Sequence, residues 1–481
     1  MRRREFLHGA GAVAALSRVP RIFAQTHAAP QLKPGEVSLR LDLTKPAPAV
    51  PLDFTGLSYE SAQLAHPKFF SSENHQLIEL LRKLSPEGIL RIGGNTSELT
   101  HWAGEQGAAT AAGLAEPPSA GHNTATSYTI TAEAIRNLRG FLDATGWRLI
   151  YGLNLGRGTS EAAAAEAGYV AKTMGHKLVA LQFGNEPDLF HHDDEKHTRW
   201  TYDEYATRWL QFEPVVRAAA PGVMLAGPDV ASNWGWIQKF AVQMRGKISM
   251  LTGHYYIGGP PSNPAMNIDA LLTPPQHLLD EVALVEHLLA SSGLPYRMAE
   301  GNSCYNGGKP GMSDVFASAL WAGDYMLQLA QAGYAGVNLH GGGMGVYTPI
   351  ATDASGASTA RPDYFGMLIA QQFAGATIVP SELKTNGANV TAYAATRGKE
   401  LLLAIFNKSP QTVEVQLEYA AMEKSKHREG RVYSLTAPAV DAKEGVSFAM
   451  TANLPGNPLE VMGRGRSLAV PANSGMLVAF A

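Results

Sequence analysis

The 481-residue chain has a formal net charge of -3, is 45% apolar and 17% charged, and contains one cysteine, Cys304. That length suits two domains, or one large barrel with a smaller partner. The weak charge excludes a global basic field for nucleic acid or a sulfated polyanion. The lone cysteine excludes an intrachain disulfide, and no apolar run is long enough to span a bilayer.

The chain opens with "RRREFL" (2–7), a short apolar "GAGAVAALS" and small residues near Ala24 and Ala28. This is the layout of a bacterial export signal of twin-arginine type, so residues 1–29 are set apart from the fold and a periplasmic or secreted location is expected. Next, "GEVSLRLDLT" (35–44) alternates polar and apolar residues; the segment 30–49 is expected to pair with the far end of the chain. Eight short apolar runs follow: 53–60, 88–94, 148–155, 178–185, 223–230, 249–256, 295–302 and 336–342. Amphipathic stretches such as "ENHQLIELLRKL" and "TAEAIRNLRGFLDAT" separate them. Strands alternating with helices predict a (β/α)8 barrel over 50–375, with 104–127 as a long loop. A doubly wound sheet is the alternative, but no glycine-rich phosphate loop follows an early strand. From 376 to 481 the pattern turns to period two with recurrent turns, which predicts a β-sandwich.

Polar residues fall where barrel active sites are built, at the C-terminal ends of strands. Arg91 and Asn95 follow strand two, Asn185 and Glu186 strand four, Tyr256 strand six, Glu300 strand seven and His340 strand eight. "LVALQFGNEPDLF" and "YRMAEGN" each carry a glutamate to the end of an apolar run. A structural reading makes Glu186 a turn residue, with Pro187 biasing it toward extended backbone. The chemical reading sets two carboxylates across the barrel mouth, one to protonate a departing oxygen and one to meet an oxocarbenium-like carbon, as glycoside hydrolysis requires.

"GNEP" with "AEGN" three units later resembles the retaining barrel glycosidases of clan A. The fuller set "RIGGN", "FGNEPD", "HYY" and "AEGNSCYNGG", with a trailing β-sandwich, is similar to glycoside hydrolase family 79, which holds β-glucuronidases and heparanases. The resemblance implies Glu186 as acid/base, Glu300 as nucleophile and Asn185 on the sugar 2-hydroxyl. It implies that Tyr256 and Arg91 touch Glu300 and keep it ionised. It also implies that the glycine-rich loop "SCYNGGKPG" grips a uronate carboxylate through Tyr305, Gly307 and Gly308, with Tyr347 as a further contact and Lys309 as a nearby cation. The expected partner is a terminal β-glucuronide, with or without a 4-O-methyl group; no cofactor, metal or obligate protein partner is expected. Alternatives are heparanase-like endo cleavage, another clan A β-glycosidase, and a carbohydrate-binding protein without turnover.

Other conspicuous features have plainer readings. "HHDDEKH" (191–197) mixes charges without ligand spacing and reads as a solvated loop. Cys304 reads as a packing thiol, and "KSKHREGR" (424–431) as a charged hairpin tip. Trp102 and His340 are equally compatible with lining the site or packing behind it.

Overall fold

The computed structural model describes residues 36–480 apart from 46, 106, 108–126, 193–197, 420–429 and 455–466. The expected export signal, most of the 104–127 loop, and parts of the two charged runs lie outside the described residues.

Eight parallel strands close into a barrel: Thr55–Glu60, Ile89–Gly93, Arg148–Leu153, Leu178–Phe183, Leu225–Val230, Met250–Gly258, Tyr296–Cys304 and Gly336–Gly341. Each is nearly continuously buried, as strands wrapped by helices must be. The helices between them start on recognisable caps. Thr131 and Thr159 accept an amide from the first turn, and Thr201 and Glu204 form a reciprocal capping box. The barrel strands also carry buried polar side chains that bond to one another. Near the barrel's N-terminal end Arg297 is fully buried, donating through Nε to Asn338 Oδ1 at 2.6 Å and through the rest of its fork to the carbonyls of Asp53, Phe54 and Ala335. A Cβ on Gly336 would sit 2.0 Å from that guanidinium, so the plug requires glycine there.

A two-sheet sandwich follows. The segment Glu36–Leu41 lies in its four-stranded sheet, antiparallel to Ser381–Lys384 and parallel to Val413–Tyr419. The six-stranded sheet leans on the barrel, and its strand Glu400–Asn407 is buried on both faces. Leu401, Leu403 and Ile405 enter the sandwich core while Leu402, Ala404 and Phe406 join the barrel's core. That explains the unbroken apolar run "LLLAIF", where alternation would mark a half-exposed strand. Lys408 and Asp324 fasten the two parts: Lys408 Nζ lies 2.5 Å from Asp324 Oδ2, and the Thr391 and Tyr393 hydroxyls donate to Oδ1.

Candidate active site

Strand seven loses register with both neighbours just after Met298. Such a bulge re-aims the next side chains, here turning Glu300 into the barrel mouth. Its Oε1 accepts from the Tyr256 hydroxyl at 2.8 Å, and its Oε2 accepts from Arg91 Nη1 at 2.7 Å. His340 Nδ1 stands 3.6 Å from the same Oε2 and accepts or donates with the Ser58 hydroxyl at 3.0 Å. Burial pushes the Glu300 carboxyl up, but His340, His254, Arg91 and the Tyr256 hydrogen bond outweigh it and hold the group at about 2.

Glu186 departs from the sequence expectation. Its backbone is left-handed, with φ 51 and ψ 51, not extended. Its neighbours impose this: the Glu186 amide donates to Asp229 O at 2.9 Å, and Leu189 N donates back to Glu186 O at 2.8 Å. Asp188 then accepts the amides of Ala231, Ser232 and Asn233, at 2.8, 3.2 and 3.0 Å. A sparsely populated backbone state costs about 1–3 kcal/mol and persists only where its surroundings over-determine it. The side chain meets His254 Nδ1 at 3.0 Å through Oε1. Burial raises the Glu186 carboxyl above its ordinary value, a displacement that the His254 contact reduces without cancelling. The two glutamates thus sit close together with opposite tendencies. A carboxylate oxygen of each, with one nitrogen of His254, all fall within 4.8 Å of one another.

Arg91 ties the mouth together. Besides Glu300 it donates through Nη2 to Asn185 Oδ1 at 2.7 Å and to Asp229, and through Nε to Gln182 Oε1 at 3.3 Å. Asn185 Nδ2 in turn donates to Asn95 Oδ1 at 3.0 Å. On the far rim Tyr256, Tyr305 and Tyr347 cluster, with ring centroids 6.5 Å and 6.2 Å from Tyr256. Tyr347 is buried, whereas Tyr305 is 40% exposed at the entrance.

The glycine loop needs one correction. Gly308 N, expected to face an anion, donates to Cys304 O at 3.1 Å. The turn consumes that amide, because Gly308 at φ 91 reverses the chain immediately after the strand. A Cβ there would lie 2.8 Å from Tyr347 N, so Gly308 is what lets the Tyr347 loop approach. The Gly307 amide has no partner among the described residues, and a Cβ on Gly307 would meet nothing within 4 Å. Lys309 Nζ is spent on Asn263 O at 2.9 Å. Cys304 is buried, and Trp102 packs against Tyr169, their rings tilted with centroids 5.1 Å apart.

Sequence reasoning passed over His254, Asp229 and Glu60. His254 shares the inward face of strand six with Tyr256, while Tyr255 stacks outward on Tyr325 at 5.2 Å. The period of two in "GHYYIG" carried that signal. His254 Nε2 lies 3.2 Å from Asp229 Oδ2, and the ring is held charged: burial pulls it down, but Asp229 and Glu300 lift it to about 10. In that charged state both ring nitrogens are donors, one facing Glu186 and the other Asp229. Glu60 accepts from Thr96 N at 2.8 Å and stands 3.6 Å from His340 Nε2.

No family model matches the sequence. Over 365 residues it is 26% identical to a β-glucuronidase of Aspergillus niger, covering 70% of this chain and 66% of that one. Over 261 residues it is 28% identical to a β-glucuronidase of Neurospora crassa, covering 46% of each. The chain therefore matches less than two thirds of either relative's length. Among solved structures it resembles a 4-O-α-L-rhamnosyl-β-D-glucuronidase from Fusarium oxysporum, with TM-score 0.71 and 16% identity, covering 92% of this chain and 99% of that one. It also resembles a glycoside hydrolase family 51 arabinofuranosidase from Xanthomonas axonopodis, with TM-score 0.68 and 16% identity, covering 93% and 100%. At such identities the structural likeness establishes the shared fold, a (β/α)8 barrel with a β-sandwich.

Proposed function

We propose that the protein is a retaining, exo-acting β-glucuronidase. The observation that carries this reading is the spacing of Glu186 and Glu300, whose carboxylate oxygens approach within 4.8 Å. Retaining enzymes hold their carboxyl groups about 5–5.5 Å apart, whereas inverting ones need about 6.5–9.5 Å to admit a water. The opposite displacements of the two groups support the assignment of roles. Glu300, held ionised, attacks the anomeric carbon as the glycosidic C–O bond breaks, and Glu186 delivers its proton to the departing oxygen. Glu186, now a carboxylate, takes a proton from the water that breaks the glycosyl ester and frees Glu300. Asn185, oriented by Arg91, offers its remaining N–H to the sugar 2-hydroxyl.

For the sugar carboxylate we assign the Gly307 amide and the hydroxyls of Tyr305 and Tyr347, with Gly308 shaping the loop. His340 stands behind Glu300. Similarity to two named β-glucuronidases supports glucuronide over neutral sugars. The Arg3-Arg4-Glu5-Phe6-Leu7 start supports export. The reading calls for no cofactor.

The test is release of p-nitrophenol from the β-glucuronide, β-glucoside and β-xyloside by wild type, Glu186→Ala and Glu300→Ala. Glucuronide-selective turnover, lost in Glu300→Ala and restored by azide with net retention in Glu186→Ala, is expected. Preference for a neutral sugar would overturn the carboxylate assignment, and turnover only of internal bonds in a polymer would overturn exo action.

A further inference from the structure

Asp229 stands at the end of strand five, 1% exposed, and belongs to neither glutamate's immediate contacts through its side chain. It nevertheless meets the cation that serves each of them. Its Oδ2 takes the Arg91 Nη2 hydrogen bond and lies 3.2 Å from His254 Nε2. Arg91 continues to Glu300 and His254 continues to Glu186. Its Oδ1 is fixed by Gln182 Nε2 at 2.7 Å, and Gln182 also reaches Thr252 Oγ1 at 3.0 Å. Its own carbonyl holds the Glu186 amide. The Asp229 backbone is itself left-handed, at φ 62, a second unusual conformation facing the first.

We propose that Asp229 is a positioning residue for the double displacement, a single buried carboxylate that anchors one cation for each catalytic glutamate. The inference rests on the glycosidase reading above. In that reaction the site's negative charge moves from Glu300 to Glu186 as the glycosyl ester forms, and back as it is hydrolysed. Neither Arg91 nor His254 keeps a charged glutamate partner throughout the cycle. Asp229 is paired with both at every stage, so the two cations stay in place and stay charged whichever glutamate is neutral. The alternative, a cation left buried and unpaired for half the cycle, is costly in a site this dry. Apart from these partners, Tyr205 and Tyr296 are the titratable groups that feel the Asp229 charge, while Glu186, Glu300 and Glu281 face His254. Arg91 and His254 are the cations in contact with it among the described residues.

The experiment combines histidine NMR with kinetics on wild type and Asp229→Asn. With 15N-labelled histidine, His254 is expected to remain an imidazolium from pH 5 to 8 in wild type and to titrate within that window in Asp229→Asn. On the p-nitrophenyl glucuronide, kcat of the variant is expected to fall on the order of 10²-fold with KM changed less than about threefold. A structural role alone would lower the folded fraction without moving the histidine. His254 charged across the window in Asp229→Asn, or kcat within about threefold of wild type, overturns the proposal. Should the variant not fold, wild type still decides: a neutral His254 at pH 7 overturns it. A wild type with charged His254 that turns over no glycoside overturns the reading beneath it instead.

Discussion

Glu281 offers a test of the structure that is independent of activity. It lies on the helix Gln276–Ser292, 1% exposed, and neither carboxyl oxygen has a hydrogen-bond partner among the described residues. The hydroxyls of Tyr255, Tyr296, Tyr325 and Tyr334 around it are equally unpartnered there. Burial raises its pKa from 4.5 to about 8, against a small downward pull from His254. The folded chain thus keeps Glu281 protonated over a range in which the unfolded chain ionises it. Stability is full below pH 4.5 and falls as pH rises toward 8, by about 1.4 kcal/mol per pH unit and about 5 kcal/mol in all. Glu281→Gln keeps the shape of the protonated acid and removes the ionisation. Urea unfolding of both proteins at pH 5, 7 and 9, followed by tryptophan fluorescence, is the assay. The two are expected to differ by under about 1 kcal/mol at pH 5, with the variant ahead by about 3 at pH 7 and about 5 at pH 9. A gap that stays constant with pH, or that favours wild type at pH 9, would mean that burial does not hold Glu281 protonated in the folded chain.

Tyr256→Phe removes the 2.8 Å hydrogen bond to Glu300. The pH–rate profile for kcat/KM is expected to shift its acid limb upward, because Glu300 loses one of the contacts holding it down, and kcat to fall about 10²-fold. Gly308→Ala places a Cβ 2.8 Å from Tyr347 N at a backbone φ of 91. Steady-state kinetics should show KM for the glucuronide raised about tenfold as the Tyr347 loop is pushed away, with a matched neutral glycoside little affected. Lys408→Met strands Asp324 in the joint between barrel and sandwich. Calorimetry should register a loss of about 3–5 kcal/mol, while Lys408→Met combined with Asp324→Asn, which removes the charge but still accepts from Thr391 and Tyr393, recovers most of it.

The barrel was legible because each of its strands is a short apolar run bounded by helices, and the sandwich because its turns and alternation are regular. Legibility failed where a residue's role depends on what its own backbone or side chain is bonded to. Pro187 argued for an extended Glu186, a local preference overridden by the Asp229 carbonyl and the Asp188 turn. Gly308 read as an anion cradle because sequence shows a glycine but not what its amide is bonded to. Asp229 sat unnoticed in "VMLAGPDV", since an acid inside an apolar run acquires meaning only when Arg91 and His254 arrive from strands two and six. The charged pattern of the mouth is a tertiary property, and single motifs report only its ends.

The strand Glu36–Leu41 sits between Ser381–Lys384 and Val413–Tyr419, and the hydrogen bond from Ser38 to Glu418 spans 380 residues. During synthesis this strand leaves the ribosome before any part of the barrel, and both of its neighbours leave after all of it. Until then Val37, Leu39 and Leu41, buried in the finished protein, have nothing to cover them. Covering of this strand on both edges therefore reports that translation has passed residue 419. A prematurely terminated chain would carry a sticky apolar strand as a mark that proteases and chaperones recognise.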